Sequence, residues 1–197
     1  MKTNRCLTVV MMTFMFLSLS GRMVWADQLV VADFDTGDKP NNLGGDFGAW
    51  ARDPDDDTQF SEATFVEDDA LGDPSGFAMR LDYDVDSPNA AYGGFWMKLS
   101  GLDVRDYNTL SFYVRGDAKT GYTSRIKIEL KDYKGKTSPY VLSEITGEWQ
   151  RIRIPFSKFL EIDDWAKLNE LVIVFDDTLS DPKVGTLYID QIVFIQD

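Results

Sequence analysis

The chain has 197 residues, a formal charge of −13, no histidine and a single cysteine, Cys6, near its N-terminus. Without histidine, Ser–His and Cys–His nucleophilic catalysis are excluded, and the usual zinc ligands are missing as well. The acidic balance argues against nucleic acid and anionic membrane surfaces as partners, and suits neutral ligands or divalent cations.

In chain order, the first element is a targeting segment. A basic start, "MKTNR", precedes the 14-residue apolar run "LTVVMMTFMFLSLS", and Val24-Trp25-Ala26 ends on a small residue. This is the layout of a secretory signal peptide over residues 1–26, and the apolar run is short for a membrane span. An uncleaved anchor is the alternative. Cleavage would take Lys2, Arg5 and Arg22 and no acid, moving the formal charge from −13 to −16 and leaving no cysteine. The expectation is a secreted or periplasmic protein with one domain, residues 27–197, that folds without disulfides. No later apolar run approaches membrane-spanning length, so no membrane insertion is expected, and a monomer is expected.

From Gln28 onward the apolar pattern has period two. It predicts strands over 28–34, 47–52, 58–66, 76–85, 92–99, 109–116, 124–132, 137–143, 149–155, 170–176 and 186–195. Turn-rich pieces such as "DPDDD", "LGDPSG", "DSPNA", "KGK" and "SDPKVG" separate them. One helical hint, "DDWAKL", has Asp163 or Asp164 as its cap. Many short strands of this kind predict an all-β sandwich or barrel.

Alternation sorts the strand faces. Leu110, Phe112 and Val114 oppose Ser111, Tyr113 and Arg115, while Ile126, Ile128 and Leu130 oppose Arg125, Lys127, Glu129 and Lys131. Ile152 and Ile154 oppose Arg151 and Arg153. In the last strand, "GTLYIDQIVF", strict alternation puts Asp190 on the face of Tyr188, Ile192 and Phe194. A carboxylate there needs a partner, because burying an unpaired charge is costly.

Several stretches together resemble the family 11 carbohydrate-binding modules and their relatives in the galactose-binding-like jelly-roll group. They are "VADFDTG", "MRLDYDV", "AAYGGFWMKL", "LDVRDYNTLSFYVRGD", "GEWQRIRIPFSKF" and "LNELVIVF…VGTLYIDQIVF". The resemblance spans the presumed mature chain in order. Its "GGF…LDVRDYNTLSFYVRGD" portion also resembles the complex I intermediate-associated protein family. The first family implies an antiparallel two-sheet jelly-roll β-sandwich that binds a neutral polysaccharide such as a β-glucan without cleaving it. The second implies a protein-interaction or assembly factor on a similar fold.

The family 11 resemblance also implies a structural calcium between the first and last strands. Asp35 and Asp190 occupy the matching acidic positions, and Asp73, in "LGDPSG", is the third candidate. Backbone hydrogen bonds or a lysine could satisfy Asp190 instead. For the ligand, the resemblance implies Tyr92 and Tyr140 as stacking residues and Arg115, Lys127, Glu129 and Asp176 as hydrogen-bonding residues. These would lie on one sheet holding strands 92–99, 109–116, 124–132 and 137–143. Phe175 stands where the family carries a cleft tyrosine, and the N-terminal glycine-rich loop offers Asn41, Asn42 and Trp50. Trp149 reads as structural, and Trp96 is compatible with either face.

Two acidic motifs invite other readings. "DPDDDT" (53–58) lacks the glycine at position six and the glutamate at position twelve of a helix-loop-helix calcium loop, which leaves a solvated loop. "EIDD" (161–164) resembles the paired carboxylates of jelly-roll β-glucanases, but the third acid is missing. Loop and cap is the better reading there.

Overall fold

The computed structural model describes residues 28–67 and 76–197. The presumed signal peptide and Asp73 therefore lie outside the described residues. Eleven strands follow one another: β1 (Gln28–Ala32), β2 (Phe47–Ala51), β3 (Phe60–Glu67), β4 (Phe77–Asp84), β5 (Tyr92–Leu102), β6 (Thr109–Gly116), β7 (Ile126–Asp132), β8 (Thr137–Leu142), β9 (Gln150–Pro155), β10 (Leu168–Asp176) and β11 (Val184–Ile195). Each matches a strand expected from the period-two pattern. The single helical piece among the described residues is a short 3-10 turn, Phe156–Lys158. The "DDWAKL" stretch forms a turn rather than a helix. Its Asp164 side chain accepts the Ala166 amide, and the Asp164 carbonyl accepts the Lys167 amide, so the chain closes and passes straight into β10.

The strands form two antiparallel sheets. One has six strands in the order β3-β4-β11-β6-β9, with β1 also paired to β11; the other has five in the order β2-β5-β10-β7-β8. The core lies between them. From the five-stranded sheet come Phe95, Met97, Ile126, Ile128, Leu130, Leu171, Ile173 and Phe175; from the six-stranded sheet come Leu81, Tyr83, Leu110, Phe112, Val114, Leu187, Ile189, Ile192 and Phe194. Phe34, Phe47, Phe65 and Phe95 meet at centroid distances of 5.7 to 6.5 Å and close one end. Phe175 lies flat on Tyr83 at 4.1 Å. It belongs to the core, so the family's cleft tyrosine has no counterpart on that side chain.

Two expectations change here. Strand 109–116 joins the six-stranded sheet and not the sheet of 92–99, 124–132 and 137–143. The last strand, moreover, does not alternate strictly. Asp190 pairs with Tyr113 and Val193 with Ser111, so β11 carries one extra residue, and Gln191 there has φ 47°. This bulge reverses the parity of the strand. Leu187 and Ile189 point inward before it, Ile192 and Phe194 inward after it, and Asp190 joins Tyr188 on the outward face.

Candidate ligand-binding face

The outward face of the five-stranded sheet follows from strand register. Tyr92, Gly94, Trp96 and Lys98 alternate along β5 with the inward Gly93, Phe95, Met97 and Leu99. Pairing then builds cross-strand rows. Trp50, Gly94, Val174, Lys127 and Val141 form one; Gly48, Trp96, Val172, Glu129 and Pro139 form the next. Lys98, Glu170, Lys131 and Thr137 form a third, and Tyr92 faces Asp176 at the other end.

The face divides lengthwise. On the β2–β5 side stand three aromatics: Tyr92, 41% exposed, meets Trp50 edge to face at 5.8 Å, and Trp96 lies one step further along β5. On the β10–β7 side stand charges. Lys127 binds Asp176 at 2.5 Å, and Glu170 holds both Lys131, at 2.8 Å, and Lys98. Between them runs an aliphatic floor of Val172 and Val174. Two adjoining depressions of about 390 and 410 Å³ occupy this trough and share Trp50 and Lys131 as walls.

Glycine makes the trough possible. Gly94 has φ 153°, and a Cβ there would stand 2.0 Å from the Ile173 carbonyl oxygen.

Two carboxylates on this face are held by lysines. Burial alone would raise the Glu170 carboxyl, but hydrogen bonds from Lys131 and Lys98 outweigh it and hold the group below its ordinary value. Asp176 follows the same logic, with Lys127 and Thr178 opposing burial. Asp176 also accepts the Thr178 and Leu179 amides, which ties the face to the loop after β10. Cations sit near the aromatics: Arg52 lies 5.5 Å from the Tyr92 ring and donates to the Ala90 carbonyl, and Lys98 lies 5.4 Å from the Trp96 ring.

Of the ligand residues expected from the sequence, Tyr92, Lys127, Glu129 and Asp176 come together here. Arg115 does not. It belongs to β6, in the opposite sheet, where its guanidinium lies 4.2 Å from the Tyr188 ring and 5.2 Å from Trp149. Tyr140 is in the right sheet but faces inward, because it pairs with the core residue Ile128; its ring packs near Phe159 at 6.2 Å. Trp50, Trp96, Lys98, Lys131 and Glu170 complete the face. Parity along β5 and β10 carries the signal for three of them: 92, 96 and 98 share a side, as do 170 and 176. Asn41 is buried and clamps its own loop, accepting the Leu43 and Gly45 amides.

Asp190, one of the expected calcium residues, lies at a junction. Along one edge of β11 the partner is β4 as far as Ile189, and then β1 from Ile192; Asp190 and Gln191 fall in the gap. First and last strands are thus neighbours, and β1 ends with Ala32 paired to Ile192, two positions beyond Asp190. Asp190 is 6% exposed and accepts the Gln191 amide at 2.6 Å. Among the described residues no group of three or more His, Cys, Asp or Glu side chains is placed to hold a metal ion.

The acidic motifs resolve as loops. Asp56 accepts from Thr58, Gln59 and Asn89, which holds its carboxyl far below the ordinary range and ties 53–58 to the loop before β5. Asp163 and Asp164 pair with Lys136 and Lys134 of the β7–β8 turn.

The sequence profile of carbohydrate binding domain 30 matches residues 46–196. The chain belongs to this family. Among solved structures it is similar to the family 11 carbohydrate-binding module of the cellulosomal cellulase Lic26A-Cel5E of Clostridium thermocellum, at 17% identity and TM-score 0.62, covering 88% of this chain and 96% of that one. A structure of the Clostridium thermocellum family 11 module in complex with a β-1,3-1,4-mixed-linked tetrasaccharide matches at 17% identity and TM-score 0.61, covering 86% and 95%. The CBM22-1 xylan-binding domain of Paenibacillus barcinonensis Xyn10C matches at 13% identity and TM-score 0.52, covering 86% and 95%. At these identities the likeness shows the fold, a carbohydrate-binding-module jelly roll. A comparison with curated protein sequences gives no match.

Proposed function

We propose that this carbohydrate-binding module binds a neutral polysaccharide, a β-glucan, along the outward trough of the five-stranded sheet, and that it does so without cleaving it. One observation carries the reading: Tyr92, Trp50 and Trp96 line one side of a trough whose other side holds Lys127, Glu129, Asp176, Lys131 and Glu170. Flat aromatic faces suit the C–H surfaces of pyranose rings, and ordered polar groups suit their hydroxyls. Because Tyr92 and Trp96 are four residues apart on one strand, the trough runs with β5 for roughly 13 Å. A chain lying in it contacts the aromatics in succession. The mixed-linked tetrasaccharide bound by the Clostridium thermocellum module supports a glucan ligand. The xylan-binding relative supplies the competing glycan to test.

The direct test is retardation in native gels containing mixed-linked β-glucan, xylan or no polymer. Retardation by glucan with no release of reducing ends is expected; equal mobility in all three gels overturns the proposal. We also retain two proposals from the sequence. One is export by cleavage after Ala26, which N-terminal sequencing of the released protein tests. The other is a structural calcium held by Asp35 and Asp190, supported by the meeting of β1 and β11 beside Asp190. A calcium-bound native state would melt higher than the same protein in EDTA. Identical melting with calcium and with EDTA counts against it.

A further inference from the structure

Glu170 opens the charged side of the trough. It is 9% exposed and lies between Lys98 of β5 and Lys131 of β7 in a single cross-strand row. One of its carboxylate oxygens accepts from Lys98 and the other from Lys131, at 2.8 Å. The two lysine side chains remain 43% and 34% exposed, so their other N–H groups face the trough. At the far end Asp176 holds Lys127 in the same manner. Lys98, Lys127 and Lys131 are thus set against Glu129, Glu170 and Asp176. With Asp177, whose carboxylate accepts the Ala91 amide at the same end, three lysines stand against four carboxylates, so the trough is close to charge balance although the chain as a whole carries −13.

Resting on the binding reading above, we propose that Glu170 is a specificity-determining residue of this face: it neutralises Lys98 and Lys131, and so denies the trough to polysaccharides that carry carboxylates. Two ammonium groups on the strands either side of β10 are a ready site for an anion. Here that site is filled by a buried carboxylate of the protein itself. A uronic acid residue would have to displace a partner that is already ordered, and would lose its own freedom in doing so. A neutral sugar asks only for hydrogen bonds, which the lysines can donate without giving up Glu170. The overall negative charge adds a long-range repulsion that salt screens; the local device acts at contact distance.

E170Q tests this, because the amide keeps the shape and removes the charge. E148Q, at an exposed position away from the trough, makes the same change in net charge and serves as the control. Each protein is run in native gels containing mixed-linked β-glucan or polygalacturonate, at low and high salt. Wild type and E148Q should be retarded only weakly and equally by polygalacturonate. E170Q should be retarded by it, with apparent affinity roughly three- to tenfold above E148Q, the scale of one charge contact at a partly exposed site. High salt should abolish the gain, and so should K131A added to E170Q. Wild type binding polygalacturonate as E170Q does, or E170Q matching E148Q, overturns the proposal. Wild type ignoring neutral glucan defeats the binding reading instead; the response of E170Q to the acidic polymer still decides the role of Glu170, since it reads the two lysines directly. If E170Q melts below the assay temperature, E170S, which leaves room for water, replaces it.

Discussion

Trp50 on β2 and Tyr92 on β5 meet edge to face across Gly94, with ring centroids 5.8 Å apart and planes inclined at 67°. Trp50 is opposite Gly94 in the β2–β5 register, not opposite Tyr92, so the two rings reach each other diagonally over a position that has no side chain. This geometry fixes Tyr92 while leaving it 41% exposed. A ring that is both held and open is what a stacking platform needs, because little rotamer freedom remains to be lost when a ligand binds.

Replacing Tyr92 by Ala should weaken glucan binding by about 1–2 kcal/mol, the scale of one aromatic contact with its buried area. Trp50→Ala should cost at least as much, since it removes one ring and frees another. Titration calorimetry against a mixed-linked oligosaccharide measures both, and unchanged affinity in Tyr92→Ala would remove the ring from the site.

The strand pattern was legible because the signal is local: alternation marks each strand, and all eleven lie where it puts them. Sheet membership was not. Strand 109–116 alternates like its neighbours in sequence, yet it pairs with β9 and β11. Alternation reports which side chains share a face but is silent about which strand lies alongside, and Arg115 was misplaced for that reason. Tyr140 failed differently. Pro139 and Tyr140 fall in a six-residue edge strand whose pattern is too short to fix parity, and its pairing with Ile128 decides the matter. At Asp190 one bulged residue, Gln191, inverted a face that strict alternation had assigned the other way. The tryptophans of the trough were visible as residues, but parity with Tyr92 had to be applied along β5 to place Trp96 outside.

Gly94→Ala should be among the more damaging single changes in the chain. Its φ of 153° disfavours any L side chain, and the new Cβ would stand 2.0 Å from the Ile173 carbonyl oxygen, which is backbone of β10. The two central strands would have to separate. A loss of about 2–4 kcal/mol is expected, measured as a lower midpoint in urea. A variant as stable as wild type would mean that β5 and β10 are not in this register.

Acid should loosen the trough. Glu170 and Asp176 have folded pKa values below their ordinary 4.5 and 3.8, so the unfolded chain takes up protons first as pH falls. Their contribution to stability is therefore complete above the ordinary values and is lost as pH falls through the lower folded ones. Urea midpoints recorded from neutral pH downward should decline more steeply for wild type than for E170Q combined with D176N. Parallel curves would show that the lysine pairs contribute nothing to folding.

Arg115 offers the sharpest separation of fold from site. Arg80, Tyr188 and Arg115 stand in one row across the outer face of the six-stranded sheet, and Trp149 follows Arg115, so that cations and rings alternate. Each close contact of this type is worth about 0.5–1 kcal/mol, more where water is excluded. Arg115→Ala should thus lower stability by about 1–2 kcal/mol and also uncover the face of Tyr188. Tyr140→Ala, which strips a ring from the packing around Phe159, should destabilise by roughly 2–3 kcal/mol, less than a fully buried aromatic because the ring is only partly buried. Neither residue faces the trough. Glucan affinity measured well below the melting temperature should therefore equal that of wild type in both variants, whereas Tyr92→Ala should keep its stability nearly intact and lose affinity. A drop in affinity for Arg115→Ala alone would move the ligand to the opposite sheet.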